Sequence, residues 1–218
     1  NAHQLQSNIR SLLQLYYSNH DINLNFQYLE SLETIEAVID ILISDSNTLS
    51  DDLAMLHSIA LAYFSVVQGG GPFGTIITDN SGQFISAGSN HVTRLNDPTA
   101  HGEVHAIRNA IDQNQSLTGS ILYTSCMTCP MCYGFAIEHN ISTIKYCSTA
   151  NDAYNYAGFK DDHLWTMLDS LIRHDLFQPH LFRLTGPLTI VPVRLGDGQD
   201  LISLLQSICK THGFEPLG

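Results

Sequence analysis

His101-Gly102-Glu103, followed downstream by Cys129-Pro130-Met131-Cys132, places one imidazole, two thiols and one further carboxylate in two short segments that a fold must bring together. A catalytic zinc takes three protein donors and keeps its fourth position open for water, whereas a structural zinc closes that position with a fourth ligand. His101, Cys129 and Cys132 meet the first requirement and leave Glu103 as an unligated acid. Both segments lie where helices are expected to start, and there the exposed amides and the helix dipole favour anionic thiolates. The chain is therefore constrained to set two helix N-termini side by side.

Two other uses of these residues stay open at this level. A lone C-x-x-C serves as a redox pair in thioredoxin-like folds, but there it follows the first strand and needs no upstream His-x-Glu. A structural zinc site would result if Cys126 or His105 supplied a fourth ligand. His105 lies one helical turn after His101 on the same face. The pattern H-x-E-x-H nevertheless puts its acid elsewhere than the protease pattern H-E-x-x-H, so His105 is expected in the pocket lining or in solvent.

The surrounding stretches Gly70-Gly71-Pro72-Phe73-Gly74, Asn90-His91-Val92-Thr93, Asn96-Asp97-Pro98-Thr99-Ala100-His101-Gly102-Glu103 and Leu122-Tyr123-Thr124-Ser125-Cys126 lead in order to the two cysteines. In that order and spacing the chain resembles the cytidine deaminase-like superfamily, and most of all its guanine deaminase branch, over roughly residues 54 to 165, the size of one domain. The resemblance implies Zn²⁺ as cofactor and hydrolytic deamination, in which zinc acidifies a water and Glu103 carries its proton to the ring and then to the departing amine. It implies that Asn90 hydrogen-bonds the base, that Phe73 packs on its ring and that Ala100 also touches substrate. The stretch Ala157-Gly158-Phe159-Lys160-Asp161-Asp162 is similar to the family's Gly-Phe-Asp-Asp, whose second aspartate carries a second proton. Asp161 is that position without a gap, and Asp162 with Lys160 as an insertion.

Three positions depart from the family pattern. Met127 and Thr128 stand where Glu and Pro are usual before the ligating helix, removing a polar group and a stiff residue beside the metal shell. Gly102 stands where alanine is commoner, at a cost of up to about 1 kcal/mol in helix propensity.

Composition narrows the partners. With 9 Lys+Arg against 21 Asp+Glu, a formal net charge of −12, the chain lacks the clustered cations that phosphate backbones require, so no nucleic-acid partner is expected. Arg94, Arg108, Lys145 and Lys160 are the cations between residues 72 and 165. No apolar stretch has the length of a membrane span; the best, 53–67, is broken by His57 and Ser58. Five cysteines, three of them crowded into 126–132, argue for metal chemistry with reduced thiols over a disulfide framework. A cytoplasmic location is the expectation, and a targeting segment removed ahead of Asn1 is left open.

Apolar periodicity predicts two N-terminal helices, carried by Ile9, Leu12, Leu13 and Tyr16 and by Leu29, Leu32, Ile35, Val38, Ile39, Leu42 and Ile43. A third runs from a Ser50 cap through Leu53, Leu56, Ala60 and Tyr63 to the glycines at 69–71. Strands are predicted at 74–78 and 84–88 around the turn residues Asp79-Asn80-Ser81-Gly82, then at 121–124, 144–147 and 188–193. Asp97, with Pro98 in the first position, is predicted to cap the helix that carries His101 and Glu103. A further helix starts at Cys129, and others are predicted over 164–172 and 201–209. The alternation predicts an α/β chain with a sheet covered on both faces. The resemblance implies the same three-layer α/β/α fold with a mixed five-stranded sheet, to which this chain adds an N-terminal helical extension at 1–50 ahead of a deaminase domain at 51–218.

The resulting expectation is zinc-dependent deamination of a free purine base, guanine to xanthine, by a homodimer whose small-molecule substrate is a nucleobase or nucleoside. Guanosine, cytidine or another aminated heterocycle, tRNA adenosine, and a catalytically retired binding protein of the same fold are the alternatives.

Overall fold

A computed structural model describes residues 48–157 and 189–192 together with positions 7, 9, 11, 38, 39 and 166. Helix α1 (Asp51–Val67) begins at Ser50, whose hydroxyl accepts the Leu53 amide proton at 3.2 Å, and it carries Asp51 and Asp52 in its first turn, where the dipole favours acids. Every residue from Leu53 to Ser65 is buried, so α1 is wrapped on all sides. One side packs on the sheet through Ile76 and Tyr123. Ile9 and Val38, both helical and buried, belong to the same apolar cluster. Those positions agree with the predicted N-terminal helices; the rest of both helices, and those predicted over 164–172 and 201–209, lie outside the described residues apart from helical Thr166.

The strands are β1 (Gly74–Thr78), β2 (Phe84–Ser89), β3 (Ile121–Cys126), β4 (Thr143–Ser148) and β5 (Thr189–Pro192). They form one sheet in the order β2-β1-β3-β4-β5. β1 pairs antiparallel with β2 and β3, while β3–β4 and β4–β5 are parallel, so the sheet is mixed as expected. Asp79 turns the first hairpin by accepting the amides of Ser81 and Gln83 on one carboxylate oxygen.

Strand alternation divides the core. Ile76 and Tyr123 face α1, whereas Ile77, Leu122 and Ile144 face Ala106, Ile107 and Ala110 of α3 (Gly102–Asp112) and Ala136 of α4 (Pro130–Glu138). Helices thus cover both faces. α3 lies so close on β2 that a Cβ at Gly88 would come within 2.3 Å of the Gly102 carbonyl oxygen. The opposite edge of α1 is tied down by Asp51, which accepts the Tyr123 hydroxyl at 2.8 Å and the Lys145 ammonium at 2.5 Å.

Two short helices fall where none was predicted: α2 (Val92–Leu95) and α5 (Ala150–Ala157). α5 has a reciprocal cap, in which the Thr149 amide donates to Asp152 and the Asp152 amide donates to the Thr149 hydroxyl. The start of α3 also differs from expectation. Asp97 accepts the Thr99 amide and hydroxyl at 2.8 Å each, closing a local turn, and the helix begins only at Gly102 with His101 in the cap position. The same bond would cap a helix that started at Pro98, but residues 98–101 are not helical, so it closes a local turn instead.

Candidate active site

β2 and β3 both run antiparallel to β1, so they run parallel to each other and their C-terminal ends share one sheet edge with the start of β1. Chain leaving β2 leads through α2 to α3, and chain leaving β3 leads to α4. The N-termini of α3 and α4 therefore meet above that edge. His101 caps α3 with φ −70° and ψ 155°, and Cys129 caps α4 with φ −73° and ψ 165°. Cys132 lies in the first turn of α4, which Pro130 opens.

These three side chains converge. His101 Nδ1 lies 3.6 Å from Cys129 Sγ and 3.5 Å from Cys132 Sγ, and all three atoms are within 4.8 Å of one another. A tetrahedral zinc with bonds of about 2.0 Å to nitrogen and about 2.3 Å to sulfur separates N and S ligands by about 3.6 Å, so the donor set fits zinc in spacing as well as chemistry. Cys126 instead directs its thiol to the Thr149 carbonyl at 3.6 Å, and His105 packs its ring against His91, so neither closes the site. Among the described residues His101, Cys129 and Cys132 are the one cluster able to hold a metal. The unlike charges of the two thiols follow from their contact. The Cys132 thiol donates to Cys129 and, with His101, holds Cys129 down to about 4. The same bond, burial and the nearby Glu103 push Cys132 well above the usual thiol range.

Glu103, on the first turn of α3, is 5% exposed and its carboxyl points at this cluster. Burial first, and the negative Cys129 second, raise it to about 7. An acid poised at neutrality beside a hydrolytic metal position is suited to taking up and returning a proton.

Above the cluster lies a cavity of about 200 Å³. Phe73, Asn90, His101, Glu103 and Cys129 line it. Asn90 is 4% exposed and its side-chain oxygen accepts the amides of Gly71 and Val92 at 3.1 Å each. What Asn90 can offer a ligand is therefore its NH₂ donor. Ala100 is fully buried, is absent from the lining, and has its amide on Asp97 and its carbonyl on the His91 amide. Asp161 and Asp162 lie outside the described residues.

Met127 joins the wall beside Cys126, and α5 contributes Ala150 and Ala153, which the sequence reading did not place there. The Thr149-x-x-Asp152 capping pattern was the available signal for α5. Gly71, Val92, Thr93 and Pro98 also line the cavity, and among the described residues no Lys or Arg does.

Residues 49–148 match the family model for the cytidine and deoxycytidylate deaminase zinc-binding region. The chain is 41% identical over 116 residues to guanine deaminase of Bacillus subtilis, covering 52% of this chain and 73% of that protein. The crystal structure of that enzyme superposes with a TM-score of 0.50 at 40% identity, over 54% of this chain and 76% of the other. A tRNA-specific adenosine deaminase of Buchnera aphidicola is 33% identical over 109 residues, 49% of this chain and 67% of that protein. A guanine deaminase from Nitrosomonas europaea shares the fold at 20% identity, with a TM-score of 0.59 over 78% of this chain and 90% of the other. With a zinc-shaped His-Cys-Cys cluster at the mouth of a mixed sheet, and this likeness over its middle half, the chain belongs to the cytidine and deoxycytidylate deaminase family of zinc-binding domains.

Proposed function

We propose that the protein deaminates a free purine base, taking guanine and water to xanthine and ammonia, with His101, Cys129 and Cys132 as the zinc ligands and Glu103 as the catalytic acid and base. The observation that carries this is a fully buried, unligated Glu103 poised near neutrality against a three-donor cluster at the floor of a small pocket. Zinc bound there would supply a Lewis acid that makes a water nucleophilic near pH 7. Glu103 would take one proton from the attacking water and deliver it to the ring nitrogen beside the carbon under attack. It would then take the remaining proton from the new hydroxyl and pass it to the exocyclic amine, which leaves as ammonia while the ring carbonyl forms. Each transfer is short because Glu103 has no metal bond to break.

Asn90 presents its NH₂ group to an acceptor on the base, and Phe73 offers a flat apolar wall. Guanine is favoured over other amines by the likeness to the Bacillus subtilis enzyme. The acidic chain, and a lining without Lys or Arg among the described residues, disfavour tRNA and nucleotides. Asp161 or Asp162 is the second proton carrier in this reading. An N-terminal extension at 1–50 ahead of a deaminase domain at 51–218 is part of this reading, supported by buried Ile9 and Val38 in the apolar cluster of α1. A homodimer through α4 is supported by exposed Met131 and Gly134 beside half-buried Tyr133, Phe135 and Ile137. Three cysteines crowded into 126–132, two of them in the His101 cluster, support a reducing, cytoplasmic setting.

Zinc-loaded protein offered guanine, guanosine, adenine, cytosine and cytidine in parallel tests the reading by ammonia release. Release from guanine alone is the expected result. Release from a nucleoside alone would replace the substrate, and silence on all five with zinc bound would favour a retired binding protein.

A further inference from the structure

We propose that His91 is a positioning residue for the substrate pocket, acting as a neutral hydrogen-bond acceptor that locks the α2 turn into the pocket wall. Arg94 Nη2 lies 2.7 Å from His91 Nε2, and a guanidinium can only donate, so Nε2 is the acceptor and the ring proton sits on Nδ1. The Ser89 hydroxyl, at the end of β2, approaches the same nitrogen at 3.1 Å. Arg94 Nη1 donates to Gln68, the cap at the end of α1, at 3.2 Å. One arginine thus joins the end of α1 to the α2 turn, and one ring joins that turn to β2.

From the other side, the edge of the His105 ring meets His91 at 4.2 Å between centroids with the planes at 82°. Arg94 on α2, Arg108 on α3 and the acid Asp97 are the charged groups that act on His105. Burial first, then Arg108 and Arg94, hold His105 below its usual range against the pull of Asp97, and His91 meets that ring and the Arg94 guanidinium. The turn they fix supplies Val92 and Thr93 to the pocket, and the Val92 amide holds the Asn90 side-chain oxygen. A proton on His91 Nε2 removes the acceptor and places a cation against Arg94. The α2 wall and Asn90 then lose their common anchor.

The kinetic consequence rests on the purine deaminase reading, whereas the tautomer does not. ¹⁵N NMR of the full zinc-loaded chain at about pH 8 should show His91 protonated on Nδ1 and bare on Nε2, the less common form of a free imidazole, and R94A should raise its pKa. With guanine, KM should rise about threefold or more between about pH 7.5 and pH 5.5, and that rise should vanish in H91Q, whose oxygen accepts from Arg94 but takes no proton. A proton on Nε2 at high pH, or an H91Q variant that keeps the acid rise in KM, would overturn the proposal. If guanine is not turned over at any pH the substrate reading fails, and the tautomer alone decides the role of His91.

Discussion

Glu103 keeps its proton at a pH where an exposed glutamate has lost it, because its carboxyl is buried against a thiolate. Between the ordinary value of 4.5 and about 7, the folded metal-free chain therefore binds more protons here than the unfolded chain does. Stability from this group is full below pH 4.5 and is lost as pH rises toward 7. E103Q should remove that slope: urea midpoints of the metal-free variant and parent should diverge as pH rises, with the variant the more stable. Gly71 is the second decisive position. A Cβ there would stand 2.8 Å from the Asn90 side-chain oxygen and 2.9 Å from its carbon, so G71A must push the amide out of place. Losing one well-aimed hydrogen bond costs about 1 kcal/mol, so KM for guanine should rise about fivefold or more with zinc content unchanged, which steady-state kinetics and metal analysis would check together. The convergence of His101, Cys129, Cys132 and Glu103 was legible in the sequence because metal chemistry dictates their spacing, whereas the place of Phe73 and Asn90 in the wall came from the resemblance. Met127, Ala150 and Ala153 were not, since nothing in an apolar side chain announces that it faces a cavity.

At the level of elements, the strength of a local signal decided what could be anticipated. β1 to β4 and α1 stand within a residue or two of their predicted bounds because alternation, a serine cap and a glycine stop agree there. α3 was misplaced by several residues because Asp97-Pro98 carries two start signals that the chain uses for a turn. α2 is a single turn, too short for any periodicity. The contact that orients α1 crosses from its first turn to β3 and β4, a separation no local pattern reports. Partial burial opposes ionisation of Asp51, but hydrogen bonds from Lys145 and Tyr123 outweigh it and lower its pKa. Stability from this group is therefore present above pH 3.8 and is lost as pH falls through the lower folded value. Asp51 is half exposed and water screens the pair, so D51N should cost up to about 1 kcal/mol at pH 7 and nothing in strong acid, as thermal melts at both pH values would show.

For the whole molecule, Ile9 and Val38 of the N-terminal stretch are part of the core beside the sheet. Ile9 is 1% exposed and Val38 is inaccessible, both in the cluster built on α1. Removing residues 1–50 would expose an apolar helix face, so the truncated chain should aggregate or melt several degrees lower, and the double variant I9A/V38A should lose about 3 kcal/mol or more in urea denaturation. Zinc binds only the folded arrangement of His101, Cys129 and Cys132 in this account. Chelation should therefore lower the melting temperature, and readdition should restore it.

The central claim is that Glu103 works as an unligated proton carrier beside a zinc held by three other residues. The most direct test is E103Q assayed for metal and for guanine turnover in the same preparation. The account predicts one zinc per chain, as in the parent, with kcat reduced by about 10³-fold. Turnover within about tenfold of the parent with zinc retained would contradict it, as would loss of the zinc itself.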